Sequence, residues 1–289
     1  MKSFTALTFC LFIVLSVFAQ RTHIGVFGGL SAYNGDLTDK YFPKKVTNGA
    51  IGVTVNYELT DHIMARGGFT YSVVGGADRY NTSNEELMLR NLSFETSITE
   101  FSAVGEYYLY SLNDRRYSPY AFAGLALFHF NPYTFYNGNK IYLKPLSTEG
   151  QGLAAYPDRK PYNLTQLAIP FGGGIKYAIT DNLHAGIELG LRKIFTDYLD
   201  DVSSLYVDPN DLLAAKGQLA VDLSYRSDEV GGNPAYPVKD YIRGSAKNKD
   251  WYYFFGIHLT YRLGSSGASS GLFRGGGKNK RYGCPTVPR

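Results

Sequence analysis

Residues 182–193 read NLHAGIELGLRK, and their order decides the fold. Leu183, Ala185, Ile187, Leu189 and Leu191 form one row, and His184, Gly186, Glu188, Gly190 and Arg192 form the other. Successive side chains of a strand point to opposite faces, so this is a strand with one apolar side. Residues 50–60, AIGVTVNYELT, repeat the pattern with Ile51, Val53, Val55, Tyr57 and Leu59 on one face. Residues 251–263, WYYFFGIHLTYRL, repeat it again with Tyr253, Phe255, Ile257, Leu259, Tyr261 and Leu263.

Similar segments recur near 22–36, 49–60, 62–76, 94–111, 118–131, 165–179, 182–196 and 250–264. Most are longer than the usual strand of roughly 5–6 residues. The phase is less clear in PYAFAGLALFHF (119–130), where both rows are apolar, and in the first segment. The connections alternate in length. LTDH, SLNDRRYS and ITDN are short, and the stretches between the other neighbouring segments are long. In an up-and-down sheet successive connections lie at opposite ends, so the short ones gather at one end. Transmembrane barrels have this asymmetry, with short periplasmic turns and longer outer loops. The expected fold is an all-β, transmembrane up-and-down antiparallel barrel of about eight strands over residues 20–264.

A soluble barrel of the lipocalin kind is the alternative, and the polar row decides between them. It carries Glu58, Arg66, Glu106, Lys176, Glu188, Arg192 and Arg262, interleaved with glycine. A barrel of eight strands is just wide enough for side chains to fill. Both signs are present, which permits the pairing that buried ions require. The charged row therefore faces the lumen and the apolar row faces lipid. Glu188 and Arg192 share one row, and Arg262 stands on the neighbouring last strand, so these two cations are the expected partners of Glu188.

The start of the chain is expected to be a signal peptide, residues 1–19. Lys2 precedes the apolar run LTFCLFIVLSVFA and polar QRT follows, with Val17 and Ala19 small enough for a cleavage site. The run is too short for a membrane-spanning helix, which needs about 20 apolar residues. The net charge of +4 and the export signal argue against nucleic acid as a partner. Composition favours β structure: 25 Tyr, 18 Phe and 32 Gly stand beside 2 Cys and 1 Trp. Removal of Cys10 with the signal leaves Cys284 without a partner in its own chain.

Catalytic and cofactor signals are weak. There is no G-x-S-x-G, no HExxH and no histidine pair at metal spacing. His184 and His258 sit on polar rows and read as lumen-filling hydrogen bonders. No catalytic, metal or cofactor residues are therefore assigned. Asp197, Asp200, Asp201, Asp208 and Asp211 raise the question of calcium, but they lack the ligand spacing and glycine of an EF-hand loop. Asp208 before Pro209 reads as the N-cap of a short helix through DLLAAK.

The last segment, 265–289, reads as a flexible tail with Arg274, Lys278, Lys280 and Arg281 close to Cys284. With an even strand number and a periplasmic start, the tail is periplasmic. There a leftover cysteine suggests an intermolecular disulfide.

Several segments resemble a known family: YNGDL (33–37), FAGLALFHFNP (122–132), STEGQGL (147–153), YPDRKPYN (156–163), IPFGGGIKYAI (169–179) and FTDYLDDVSSLYVDP (195–209). They are similar to the PorG-like outer-membrane barrels of the Bacteroidetes type IX secretion system. The resemblance runs from about Gly25 to Leu263 and extends to the Cys-Pro tail. It implies a non-enzymatic anchor or assembly subunit in contact with the periplasmic lipoprotein ring of the PorK/PorN kind. Two other classes stay open: a lipid-modifying barrel enzyme, and a surface adhesin or receptor acting through the long loops.

Overall fold

The computed structural model describes residues 21–264, apart from 39–45, 82–83, 232–233 and 248. The expected signal peptide and the expected tail lie outside the described residues.

Eight long strands carry the architecture: β1 (Thr22–Asn34), β2 (Asn48–Glu58), β3 (Ile63–Ala77), β4 (Ser93–Tyr108), β5 (Tyr117–His129), β8 (Thr165–Ala178), β9 (Leu183–Ile194) and β10 (Trp251–Arg262). A small hairpin, β6 (Pro132–Tyr136) and β7 (Asn139–Tyr142), leans on the upper part of β4. Every pairing is antiparallel, in the order β3-β2-β1-β10-β9-β8-β5-β4. β4 returns to β3 over Ile63↔Tyr107 to Ala77↔Ser93, so the eight strands close into a barrel. β1 and β10 form the seam, from His23↔Arg262 to Asn34↔Trp251.

Two of the tight turns are built alike. In the β2–β3 turn the Thr60 hydroxyl oxygen accepts the N–H of His62 at 3.2 Å and of Ile63 at 3.0 Å. In the β8–β9 turn Thr180 accepts from Asn182 at 3.3 Å and Leu183 at 2.9 Å. A threonine hydroxyl that mimics a backbone acceptor is the reason LTDH and ITDN reverse the chain so tightly. Arg21 O accepts from Glu58 N and Thr22 O from Leu263 N, both at 2.9 Å, so both ends of the barrel chain lie beside these turns.

Outside, the apolar rows are exposed, from Phe171 at 36% to Ile51 at 66%. A contiguous apolar surface around a closed barrel is what a hydrocarbon solvent demands. Tyr57, Tyr107, Tyr117, Tyr177 and Tyr261 ring the turn end, on five different strands. This is an aromatic girdle at the level where an amphipathic ring suits both lipid and water. Among the described residues no helix is long and apolar enough to cross a membrane, which says nothing against crossing by strands.

Glycine makes room inside. A Cβ on Gly190 would stand 2.4 Å from Arg192 Nη1 and 2.9 Å from Phe122 Cζ. A methyl there would displace the arginine that fills the lumen. The ambiguous 119–130 segment is also resolved by the lumen. Tyr120, Phe122 and Phe128 are buried inward, while Leu125 and Leu127 face out. In its inner row Tyr120 meets Glu188 and Phe122 meets Arg66, while Phe128 packs on Phe130 and Tyr252.

At the opposite end the long connections fold into a cap. Its core continues upward from the barrel, where Tyr33, Phe94, Phe128 and Tyr252 meet Leu37, Leu199, Val202 and Leu223 of the loops. Phe128, Phe130, Tyr162 and Tyr198 form a ladder with successive ring centroids 5.5, 6.2 and 4.7 Å apart. The short helix expected at DLLAAK is present as Pro209–Lys216. The Asp208 side chain accepts from Asn210 N at 2.8 Å and caps it.

Candidate functional site

The lumen and the cap are the two chemically distinctive regions. Inside the barrel, the charges stand in three tiers. At the turn end Glu58 joins two strands: its Oε1 lies 2.8 Å from His23 Nε2 and accepts from Arg262. The middle tier is centred on Arg66, which makes a two-pronged bond to Glu188 at 2.6 and 3.2 Å. Arg66 Nη1 is also 3.0 Å from Glu106, which in turn lies 3.5 Å from Lys176 Nζ and accepts from Tyr108. Glu188 further accepts from Tyr120 at 2.7 Å and lies 3.3 Å from His258. In the top tier Arg192 grips Glu100 at 3.1 and 3.2 Å, and Tyr252 donates to Glu100 at 2.8 Å.

Parallel N–H donors aimed at both oxygens of a carboxylate give the strongest and most directional of such pairs. Aromatic faces complete the packing: Phe122 lies 4.8 Å below the Arg66 guanidinium and Phe254 lies 4.1 Å from that of Arg192. Cation–π contacts strengthen where water is excluded. Between the middle and top tiers only about 20 Å³ of space remains, lined by residues such as Thr54, Ser102 and His258. That is room for a single water molecule and no more. The lumen is a plug.

The expected lumen residues Glu58, Arg66, Glu106, Lys176, Glu188, Arg192 and Arg262 all point inward and are all ion-paired. Their pairing differs from the sequence expectation for Glu188. Its cation is Arg66, from the opposite wall, and not Arg192 or Arg262. Arg192 pairs with Glu100, a residue the sequence reading overlooked, and Arg262 with Glu58. Neighbours along one row both point to the barrel axis, and a long arginine reaches across more easily than sideways. Cys284, Arg274, Lys278, Lys280 and Arg281 lie outside the described residues.

In the cap, one carboxylate ties its own loop to two stretches of the last long loop. Glu149 accepts from Arg243 Nη1 at 2.8 Å, from Ser203 N at 2.8 Å and from Ser204 N at 3.1 Å. Arg159 donates to Glu149 O and to Leu205 O, both at 2.9 Å. Asp78 holds Arg90 by two bonds of 2.7 and 2.6 Å. Tyr33 donates to Asp200, Tyr162 donates to Asp201 at 2.6 Å, and Thr148 donates to Asp201 as well. The segments YNGDL, STEGQGL, YPDRKPYN and FTDYLDDVSSLYVDP therefore converge on this one structure. STEGQGL and YPDRKPYN are near neighbours in sequence, but YNGDL and FTDYLDDVSSLYVDP are remote from them and from each other, and only the tertiary fold joins them.

Four aspartates of the cap, Asp197, Asp200, Asp201 and Asp250, are uncommon in their protonation. Burial raises Asp197 and Asp201 to about 6. Burial and neighbouring aspartates push Asp200 and Asp250 well above the usual carboxylate range. Burial opposes charge on Arg243 too, but Glu149 and Asp201 beside it raise it above its ordinary value. The calcium reading gains nothing: Asp200, Asp201 and Asp211 are engaged by tyrosine hydroxyls, and Asp208 caps its helix. Among the described residues no group of three or more His, Cys, Asp or Glu is gathered as a metal ion needs.

A closed eight-stranded barrel, apolar outside and plugged by ion pairs inside, defines a small outer-membrane β-barrel protein. The chain belongs to the family described as "Domain of unknown function (DUF6089)", whose model matches residues 2–211. No curated protein matches it in sequence. Among solved structures it is similar to Neisserial surface protein A at 8% identity and a TM-score of 0.41, over 83% of this chain and 96% of that one. Ail, the attachment invasion locus protein of Yersinia pestis, aligns at 8% identity and a TM-score of 0.39, over 83% and 97%. The outer membrane enzyme PagL aligns at 9% identity and a TM-score of 0.30, over 84% and 99%.

Proposed function

We propose that this chain is a non-enzymatic anchor and assembly subunit of a type IX protein secretion system in the outer membrane. In this reading it holds the periplasmic lipoprotein ring, of the PorK/PorN kind, from the turn end. The observation that carries the anchoring role is the plug: paired side chains cross the lumen in tiers, and the cavity of about 20 Å³ between the middle and top tiers cannot pass a polypeptide. Such a barrel serves by being fixed in the membrane and by what its two ends hold. The secretion system itself comes from the sequence resemblance, four of whose six segments build the cap. Thr22 and Leu263 meet at the turn end, which faces the periplasm in this reading. Arg274, Lys278, Lys280 and Arg281 then offer an acidic partner a basic strip, an attraction that salt screens.

The test is co-purification in mild detergent of the full chain and of a chain ending at Gly264. The full chain should retain ring lipoproteins and the shortened one should lose them. A full chain that retains none sinks the proposal. Electrophoresis without reductant, after free thiols are blocked, shows in the same samples whether Cys284 also makes an intermolecular disulfide. A higher-mass band should vanish in Cys284→Ser.

A further inference from the structure

On its outer flank the cap carries a cleft of about 650 Å³, between the helix Glu85–Arg90 and the last long loop. This volume lies within the range of roughly 300–1,000 Å³ typical of small-molecule sites. We propose that the cleft binds a short, uncharged oligosaccharide. The inference does not depend on the secretion reading.

The wall is built of tyrosine. Tyr206, Tyr225 and Tyr236 meet edge to face, with centroids 5.6 to 5.9 Å apart and interplanar angles of 76° to 90°. Each ring fixes the others, so the surface they present is rigid before any ligand arrives. Tyr241 stands at the mouth, 46% exposed, with its hydroxyl 3.3 Å from both Glu86 oxygens. Val238 and Ile242, exposed at 73% and 69%, extend the apolar rim.

Charge decides the ligand class. Arg90 and Arg243 line the cleft but are turned away from it chemically. Arg90 spends its donors on Asp78, Asp36 O and Arg243 O. Arg243 spends its own on Glu149, Asp201 O and Ser224 O. An anionic ligand would have to break those pairs and would meet the Asp36 and Glu86 carboxyl groups besides. A purely apolar ligand would strip water from Asn84, Glu86 and Ser245 without replacing its hydrogen bonds, which is costly. A pyranose ring matches both demands. Its C–H face stacks on an aromatic ring, and its hydroxyls satisfy carboxylate, amide and hydroxyl groups at the edge.

The experiment uses the full chain purified in lauryldimethylamine oxide, a detergent without sugar. Maltose, cellobiose and diacetylchitobiose are the probes, read by saturation-transfer NMR and by titration calorimetry. At least one should bind and saturate tyrosine ring protons. Tyr241→Ala, at an exposed position, should weaken it at least tenfold. Glu86→Ala, also exposed, is the second variant and should weaken it similarly. Tyr117→Ala, in the girdle at the other end, should leave binding unchanged. Heat-modifiable gel mobility verifies that each variant is folded. The proposal is overturned if none of the three sugars binds, or if binding survives both cleft variants. It is equally overturned if only a sulfated disaccharide or a proline-rich peptide binds.

Discussion

Arg66 and Glu188 stand on diametrically opposite strands, β3 and β9, and meet at 2.6 Å in the middle of the barrel. Their bond is a crossbar through the lumen. Removing one partner of a buried pair leaves an uncompensated charge, at about 3–5 kcal/mol. Glu188→Leu should therefore lower stability by that amount in urea unfolding of the detergent-solubilised barrel. Arg66→Met combined with Glu188→Leu should recover at least half of the loss. A neutral single variant would mean that water reaches the crossbar.

The same tiers should make the protein electrically silent. Reconstituted in a planar bilayer, the full chain is expected to show no steady ionic current. Sustained conductance through single barrels would disprove the plug.

Protonation should tighten the cap. Asp197 and Asp201 sit near 6 in the folded protein, above an ordinary aspartate at about 3.9. The folded form thus holds more protons between those values, and stability falls as pH rises through that window. Their favourable contribution is complete below about pH 4 and lost above about pH 6. Burial is the first cause at both sites, opposed by Arg243 at Asp201. Hydrogen-exchange protection across residues 196–208, taken relative to the base-catalysed intrinsic rate, should be higher at pH 5 than at pH 8. Asp197→Asn should reduce the difference, and an unchanged profile would remove Asp197 from the account.

Orientation is testable with single cysteines in whole cells. Asn137 lies exposed at the tip of the β6–β7 hairpin and Lys239 lies exposed in the last long loop. Asn137→Cys and Lys239→Cys should react with an impermeant maleimide, whereas Asp181→Cys, in the β8–β9 turn, should not. Ser224 is also in the last loop but fully buried, so it cannot report. Labelling at Asp181→Cys alone would invert the barrel in the membrane.

The barrel was legible in the sequence because lipid and lumen impose opposite chemistry on alternate residues. Ile187 beside Glu188 states both environments in two letters. Glu100 was not legible. It shares β4 with Glu95, which has the opposite parity and meets Tyr133 at the rim at 2.9 Å. Glu106, six residues on from Glu100 and of the same parity, carries the lumen phase, but Glu95 breaks it and the apolar residues between do not restore it. The cap was hidden for a different reason. Glu149 and Arg243 are 94 residues apart, in segments without periodicity, and nothing local foretells their contact.

The seam between β1 and β10 has a consequence for biogenesis. His23 and Arg262 are register partners, yet they stand 239 positions apart in sequence. Every other strand of the barrel finds both neighbours by local reversal or a single long loop. β1 must wait for β10, with its N–H and C=O groups unpaired until the last strand arrives. Hydrocarbon does not tolerate such an edge. Insertion and closure must therefore be nearly simultaneous, and non-local pairing makes this the slow step. A chain that stops a few residues short of Arg262 would lose the Glu58 clasp at the point of closure. Its failure would be one of assembly, seen as chains stranded before the membrane rather than as a weakened barrel within it.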